Sequence, residues 1–146
     1  MLEKLSQRVA VVAKIDPQLV DNAAKTSDYV DMTKFEKAIF ILLVGATDIT
    51  VDMKLRSYTD GVGGGGADIT GKAITQYAAT DDNKVAIIEI TAEELAQVSG
   101  ATHVAAVTTV GDGSTGGYIA LVALGGEAKY LPAVNYDLAA VKEIVS

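Results

Sequence analysis

At 146 residues the chain has room for one domain with a single core, and it falls short of the length that two would need. Hydrophobic residues at 49% and charged residues at 21% exclude a disordered chain, and a net charge of −7 argues against the basic surface of a nucleic-acid binder. Without cysteine there are no disulfides and no thiolate metal sites.

In chain order, residues 7–15 (QRVAVVAKI) are short, β-branched and apolar, and read as a strand or an extended arm. Residues 16–28 carry turn formers and read as a loop. The run 34–44 is rich in Phe, Ile, Leu and Val and stops at Gly45, as a buried strand does. Periodicity alone also permits a helix there. From Ile49 to Arg56, Ile49, Val51, Met53 and Leu55 alternate with Thr50, Asp52, Lys54 and Arg56, a period of two that specifies a strand with one wet face. The intervening residues 45–48 are short enough for a hairpin.

After a glycine-rich stretch, residues 69–77 are Thr-rich and extended in character, 81–83 form a turn, and 85–90 (VAIIEI) form another strand. Thr91 followed by Glu94 is a capping box that opens a short helix over 92–98. Two more strands are expected at 103–110 and 118–124, joined by the glycine-rich residues 111–117. Gly125 and Gly126 read as a turn or bulge before 128–131, and residues 137–145 as a short amphipathic helix. The pattern predicts an all-β protein. It is a single jelly-roll-like antiparallel β-sandwich over residues 1–146, with about seven or eight short strands and one or two short helices.

The glycine-rich stretch DGVGGGGADITGKAIT (60–75) holds two nucleotide-binding patterns. Gly61, Gly63 and Gly66 spell G-x-G-x-x-G, and Gly66 to Lys72 spells a phosphate loop without its last residue. Both patterns work through a helix that follows the glycines and points its positive end at the phosphates. Here Ala73 stands where the Mg²⁺-binding hydroxyl belongs, and residues 73–82 show no helical stripe. The stretch therefore reads as a mobile surface connection, and no cofactor is expected.

No catalytic constellation is visible either. His103 is the sole histidine and opens an apolar strand, which reads as structural. Ser99 and Asp112 have no triad spacing to support them. Asp81-Asp82 and Glu93-Glu94 read as solvated turn acids without the ligand spacing of a calcium loop, so no metal site is expected. No apolar run approaches the roughly 20 residues of a membrane helix, and the run 9–13 is too short for a signal-peptide core. The expectation is a soluble protein without an export signal that engages neither membranes nor nucleic acid.

Charge is unevenly distributed. Residues 1–56 hold eight basic and eight acidic side chains, and residues 57–146 hold four basic and eleven acidic ones. An acidic body joined to a neutral first part is expected. Within residues 1–15, Lys4, Arg8 and Lys14 face Glu3 alone, with Val9 and Val11 between them. These five (Lys4, Arg8, Val9, Val11 and Lys14) are the candidate contact residues of an arm that reaches a neighbour by strand addition. The same residues equally suit an ordinary first strand.

Three segments carry a resemblance: YVDMTKFEKAIFILLVGATDITVDMKL (29–55), DITGKAIT (68–75) and AKYLPAVNYDLAAVKEIV (128–145). Together and in this order they resemble small virion proteins of tailed bacteriophages whose genes neighbour that of the major capsid protein. The resemblance implies a capsid decoration (cement) protein, β-rich and trimeric. Such a protein binds the major capsid protein on the outer face of the phage head, after assembly in the bacterial cytoplasm. A head-to-tail connector or tail component is the alternative within virions. A small ligand- or carbohydrate-binding β-sandwich, with glycine-rich loops forming its site, is the alternative outside them.

Overall fold

A computed structural model describes residues 4–130, 133 and 139–145. Among these, one helical turn, α1 (Leu5–Arg8), precedes β1 (Ala10–Val20), β2 (Ala23–Thr26), β3 (Val30–Asp31), β4 (Phe35–Thr47) and β5 (Val51–Tyr58). Then follow β6 (Ala67–Ala73), β7 (Val85–Thr91), α2 (Ala92–Ala96), β8 (His103–Val110) and β9 (Gly117–Ala128). One sheet has the order β1-β9-β4-β7; the other has the order β2-β8-β5-β6, with β3 also on β8. The pairings are antiparallel.

If β2 and β3 are taken as one interrupted strand, the chain deals its strands alternately to the two sheets, and only β5 and β6 are sequential neighbours within one sheet. That is the double Greek key of a jelly roll, as the sequence pattern predicts. Phe40 and Leu42 of β4, Met53 and Leu55 of β5, Val104 of β8 and Ile119 and Leu121 of β9 fill the space between the sheets, fully or almost fully buried. The register of β5 follows its alternation, with Val51, Met53 and Leu55 buried and Asp52, Lys54 and Arg56 at the surface.

Several local expectations are corrected. Residues 16–20 continue β1 instead of forming a loop, and residues 23–26 form β2. Pro17 is accommodated because β1 is an edge strand and its register with β9 shifts between Ile15 and Gln18. Residues 45–48 do not close a hairpin: Gly45 and Thr47 belong to β4, and the chain then crosses to β5 in the other sheet. Gly125 and Gly126 are no turn but lie within β9, paired with β4. A Cβ on Gly125 would stand 2.7 Å from Cδ1 of the buried Phe35, so glycine is required there by close approach, not by a bend. Of the expected helix at 137–145, residues 137 and 138 lie outside the described residues. Residues 139–140 are a turn and 141–145 have no regular structure.

Candidate functional site

The two sheets differ on their outer faces. On the β2-β8-β5-β6 sheet the outer side chains pair with one another. Lys54 Nζ lies 2.6 Å and Arg56 Nε 2.8 Å from the Asp68 carboxylate, and Gln76 Nε2 donates to Asp52 at 2.5 Å. Hydrogen bonding from Lys54 helps hold the Asp68 carboxyl below its ordinary range. Among the described residues, no large exposed hydrophobic side chain lies on these strands.

The outer face of the β1-β9-β4-β7 sheet is apolar. Register aligns Ile41 with Val122 on one side and Ile87 on the other, and Leu43 likewise with Ala120 and Val85. Ile39 sits between Leu124 and Glu89, and Leu19 opposes Tyr118. Leu43, Val85, Ile87 and Tyr118 are about half exposed, at 45%, 54%, 57% and 52%. Contiguous apolar surface of this kind on a folded protein marks a place of contact.

The expected contact residues border this face. Arg8 and Val9 line a hollow of about 350 Å³ floored by Ile39 and Leu124 and rimmed by Lys37, Glu89 and Glu127. Val11 and Lys14 line a neighbouring hollow of about 400 Å³ with Leu43, Ala120, Val122 and Val141. Lys4 is exposed just ahead of α1, where its backbone N–H donates to Gln7 Oε1 at 2.9 Å. Residues 10–14 belong to β1, so the first-strand reading holds for them, while residues 4–9 stand outside the sheet. Lys14 pairs with Asp16, and its backbone N–H donates to the Asp28 carboxylate at 3.1 Å.

Ile39, Ile41, Leu43, Val85, Ile87 and Tyr118 were not singled out in the sequence, although a signal exists. The runs AIFILLV and VAIIEI have apolar residues at consecutive positions, leaving no wholly wet face on either strand.

The glycine stretch forms a hydrogen-bonded turn. The Asp60 carboxylate accepts the backbone N–H groups of Gly64 at 2.8 Å and Val62 at 2.9 Å, which hold its carboxyl below the ordinary range. The Thr59 N–H donates to Gly64 O at 2.9 Å. Gly63 and Gly65 take φ of +95° and +65°, the left-handed region that only glycine enters without strain. A strand, β6, follows where both nucleotide patterns need a helix. Lys72 lies on that strand, and its ammonium is held by both oxygens of Glu94, at 2.8 and 2.9 Å, and by Glu89 O at 2.8 Å.

The remaining candidates have local roles. His103 Nδ1 is 2.8 Å from Thr102 Oγ1. Ser99 and Asp112 lie beyond opposite ends of β8, a strand about 25 Å long at about 3.3 Å per residue, too far apart for a triad. Asp81 accepts from Ala78 N at 2.9 Å and pairs with Lys84, and Asp82 accepts from Thr47 N at 3.2 Å. Thr91 and Glu94 form the capping box of α2, which ends at Ala96. Among the described residues, no three His, Asp or Glu side chains come together as a metal site, and no helix is long and apolar enough to cross a membrane.

No protein-family model and no curated protein matches this sequence. Solved structures resemble it in shape. A capsid protein of the Triatoma virus empty capsid is 10% identical with a TM-score of 0.48, over 90% of this chain and 94% of that one. A protein of the Bacillus endospore appendages, disulfide-linked pili, is 12% identical with a TM-score of 0.43, over 87% and 97%. The C-terminal family 22 carbohydrate-binding module of Clostridium thermocellum Xyn10B is 14% identical with a TM-score of 0.37, over 84% and 87%. Likenesses at these levels carry no functional argument, and the jelly-roll assignment rests on the strand order.

Proposed function

We propose that the protein is a structural component of a phage virion: a decoration protein that binds the major capsid protein on the outer face of the head, as a homotrimer. The observation that carries the proposal is the one-sided sandwich. One outer face carries Lys54 and Arg56 paired with Asp68, and the other is apolar and bordered by Arg8, Val9, Val11 and Lys14. An assembly protein needs such a face, because burial of apolar surface supplies most of the free energy of association. The same reading is what the resemblance of residues 29–55, 68–75 and 128–145 implies.

Residues 4–9 lie ahead of β1 and outside the sheet, whereas residues 10–14 belong to β1, so residues 4–9 are the part assigned to contact with the shell. The experiment adds three proteins to shells lacking this component: the full chain, a variant without residues 1–9, and a variant shortened within residues 61–66. Bound copies are then counted. Hundreds of full-length copies per shell and a marked loss only for the N-terminal deletion are expected. A count of about a dozen or fewer, as a connector ring would give, overturns the decoration role. Equal occupancy of both variants overturns the docking role of residues 4–9.

A further inference from the structure

Strand β7 is an edge of its sheet and, among the described residues, pairs with β4 alone. We infer that its open edge is a strand-acceptor site, which takes one extended segment of an unlike protein chain as a further strand of the sheet. The site is distinct from residues 4–9, and it is tested on the isolated chain with a peptide. Its failure and the failure of the virion reading are therefore separate results.

Hydrogen-bond phase decides which backbone groups are on offer. The Val44 N–H donates to Lys84 O at 3.2 Å, and Leu42 lies opposite Ala86. Antiparallel bonding alternates, so residues 84, 86, 88 and 90 bond to β4, and 85, 87, 89 and 91 turn their N–H and C=O groups outward. Two contacts agree with that phase. Lys72 Nζ donates to Glu89 O at 2.8 Å, and the Thr91 N–H donates to Glu94 Oε2 at 2.9 Å. These close the C-terminal end of the edge. The N–H and C=O of Val85 and of Ile87 and the N–H of Glu89 remain, with no bond from a side chain or loop among the described residues.

The other edges are interrupted. β1 carries Pro17 and a register shift, and its Lys14 N–H already donates to Asp28. β6 holds Gly71 at φ +79° and shifts register on β5, and β2 is four residues long. Proteins blunt their edges with such devices, because an unbroken edge is a template for another strand. β7 has no proline, no glycine and no register shift on β4. Lys72 and Glu94 blunt only its C-terminal part.

Side chains set the chemistry of the occupant. Val85 and Ile87 are more than half exposed on the outer face, and Glu89 is exposed on the same side of the strand. Residues directly opposite across an antiparallel pair share a face and touch. The fitting segment therefore has Lys or Arg opposite Glu89, then aliphatic residues two and four positions later, opposite Ile87 and Val85. The net charge of −7 favours the same basic segment. A second copy's β7 fits less well. Aligned about Ile87, its Val85 N–H meets the Glu89 O that Lys72 holds. Aligned about Ala86, it sets Asn83, at φ +60° in a turn, opposite Glu89.

The test uses the isotope-labelled full chain, nuclear magnetic resonance and the peptide acetyl-Ser-Lys-Thr-Val-Thr-Val-Ser-amide, whose valines fall opposite Ile87 and Val85. Without peptide, amide exchange is expected to be fast at Val85 and Ile87 and slow at Ala86 and Ile88. Saturating peptide is expected to slow exchange at Val85, Ile87 and Glu89 about tenfold or more, with shift changes centred on residues 84–90. Methylating both valine nitrogens of the peptide removes the N–H groups that face β7 and is expected to abolish binding. Methylating the two threonine nitrogens, which face away, is expected to leave it. Both controls leave the protein unaltered, so neither depends on a variant that folds. Replacing the peptide's lysine by glutamate is expected to weaken binding several-fold, and equal binding overturns the basic position. No slowing at Val85 and Ile87 at about 1 mM peptide, shift changes centred on Arg8 and Ile39, or equal binding of the valine-methylated peptide overturns the site. Protection of Val85 and Ile87 in the peptide-free chain that disappears on dilution shows a second copy on the edge and overturns the unlike partner.

Discussion

Leu42 and Leu43 are neighbours on β4 with opposite fates, and truncating each to alanine tests the register on which the face depends. Leu42 is fully buried between the sheets, whereas Leu43 is 45% exposed on the outer face. Leu→Ala at a fully buried site removes the transfer free energy and leaves a cavity, at a cost of about 2–5 kcal/mol. At Leu43 only about half the side chain is withdrawn from water and no enclosed cavity forms, so the cost is about 1 kcal/mol or less. With a urea m-value of about 2 kcal/mol/M, Leu42→Ala lowers the midpoint by about 1–2.5 M, and Leu43→Ala by about 0.5 M or less. The assay is urea denaturation followed by circular dichroism at low protein concentration, where contacts between copies contribute least. The Leu43→Ala deficit is expected to grow with concentration while the Leu42→Ala deficit stays. Equal midpoints, or a larger loss at Leu43, would mean that β4 is slipped by one residue and that its outer face is the inner one.

Two further outcomes follow from local contacts. Asp48 is held below its ordinary range by the N–H groups of Gly116 first and of Thr115 and Ser114 after it, Asp60 by those of Gly64 and Val62, and Glu94 chiefly by Lys72. Carboxylates with lowered folded-state values stabilise above their unfolded values of about 4 and lose that contribution as pH falls through the folded ones. Urea midpoints are therefore expected to hold from pH 7 to about 5 and to fall below about 4, with a shallower fall in Asp48→Asn. A midpoint that is flat or rising on acidification refutes this. Titration calorimetry with ATP or NAD is expected to show no binding, because the Lys72 ammonium is engaged by Glu94 and Glu89. Micromolar binding that is lost in Lys72→Ala would refute that account.

Much of the fold was legible wherever chemistry on one strand settles its own structure. The alternation in ITVDMKLR fixed both faces of β5, Thr91 and Glu94 fixed the start of α2, and the boundaries of β8 followed from its apolar run. The missed features are set by distant partners. Residues 16–20 remain a strand because β9 tolerates a register shift around Pro17. Gly125 stays in β9 because the ring of Phe35, some ninety residues away in sequence, occupies the space of a side chain. No short-range pattern announces either.

The candidate site was reached by one route and explained by another. Arg8 and Lys14 drew attention as unbalanced positive charge, yet the structure gives them balancing anions and a place at the border of an apolar face. Of the residues of that face, Ile41 and Leu43 fall in the run read as a buried strand, and Val85 and Ile87 in a run read only as a strand. A strand covered on both sides is apolar at successive positions, whereas one with a wet face alternates. β4 and β7 belong to the first kind in sequence, but the sandwich covers only their inner side. Of the described tail, Ala140 and Val141 lie beside Val11, Lys14 and Pro17, on the β1 side of the outer face. Val85 and Ile87, at the opposite edge, remain more than half exposed. The composition of these strands thus calls for a second layer that the described residues do not supply, which is why association, not catalysis, is the function to test first.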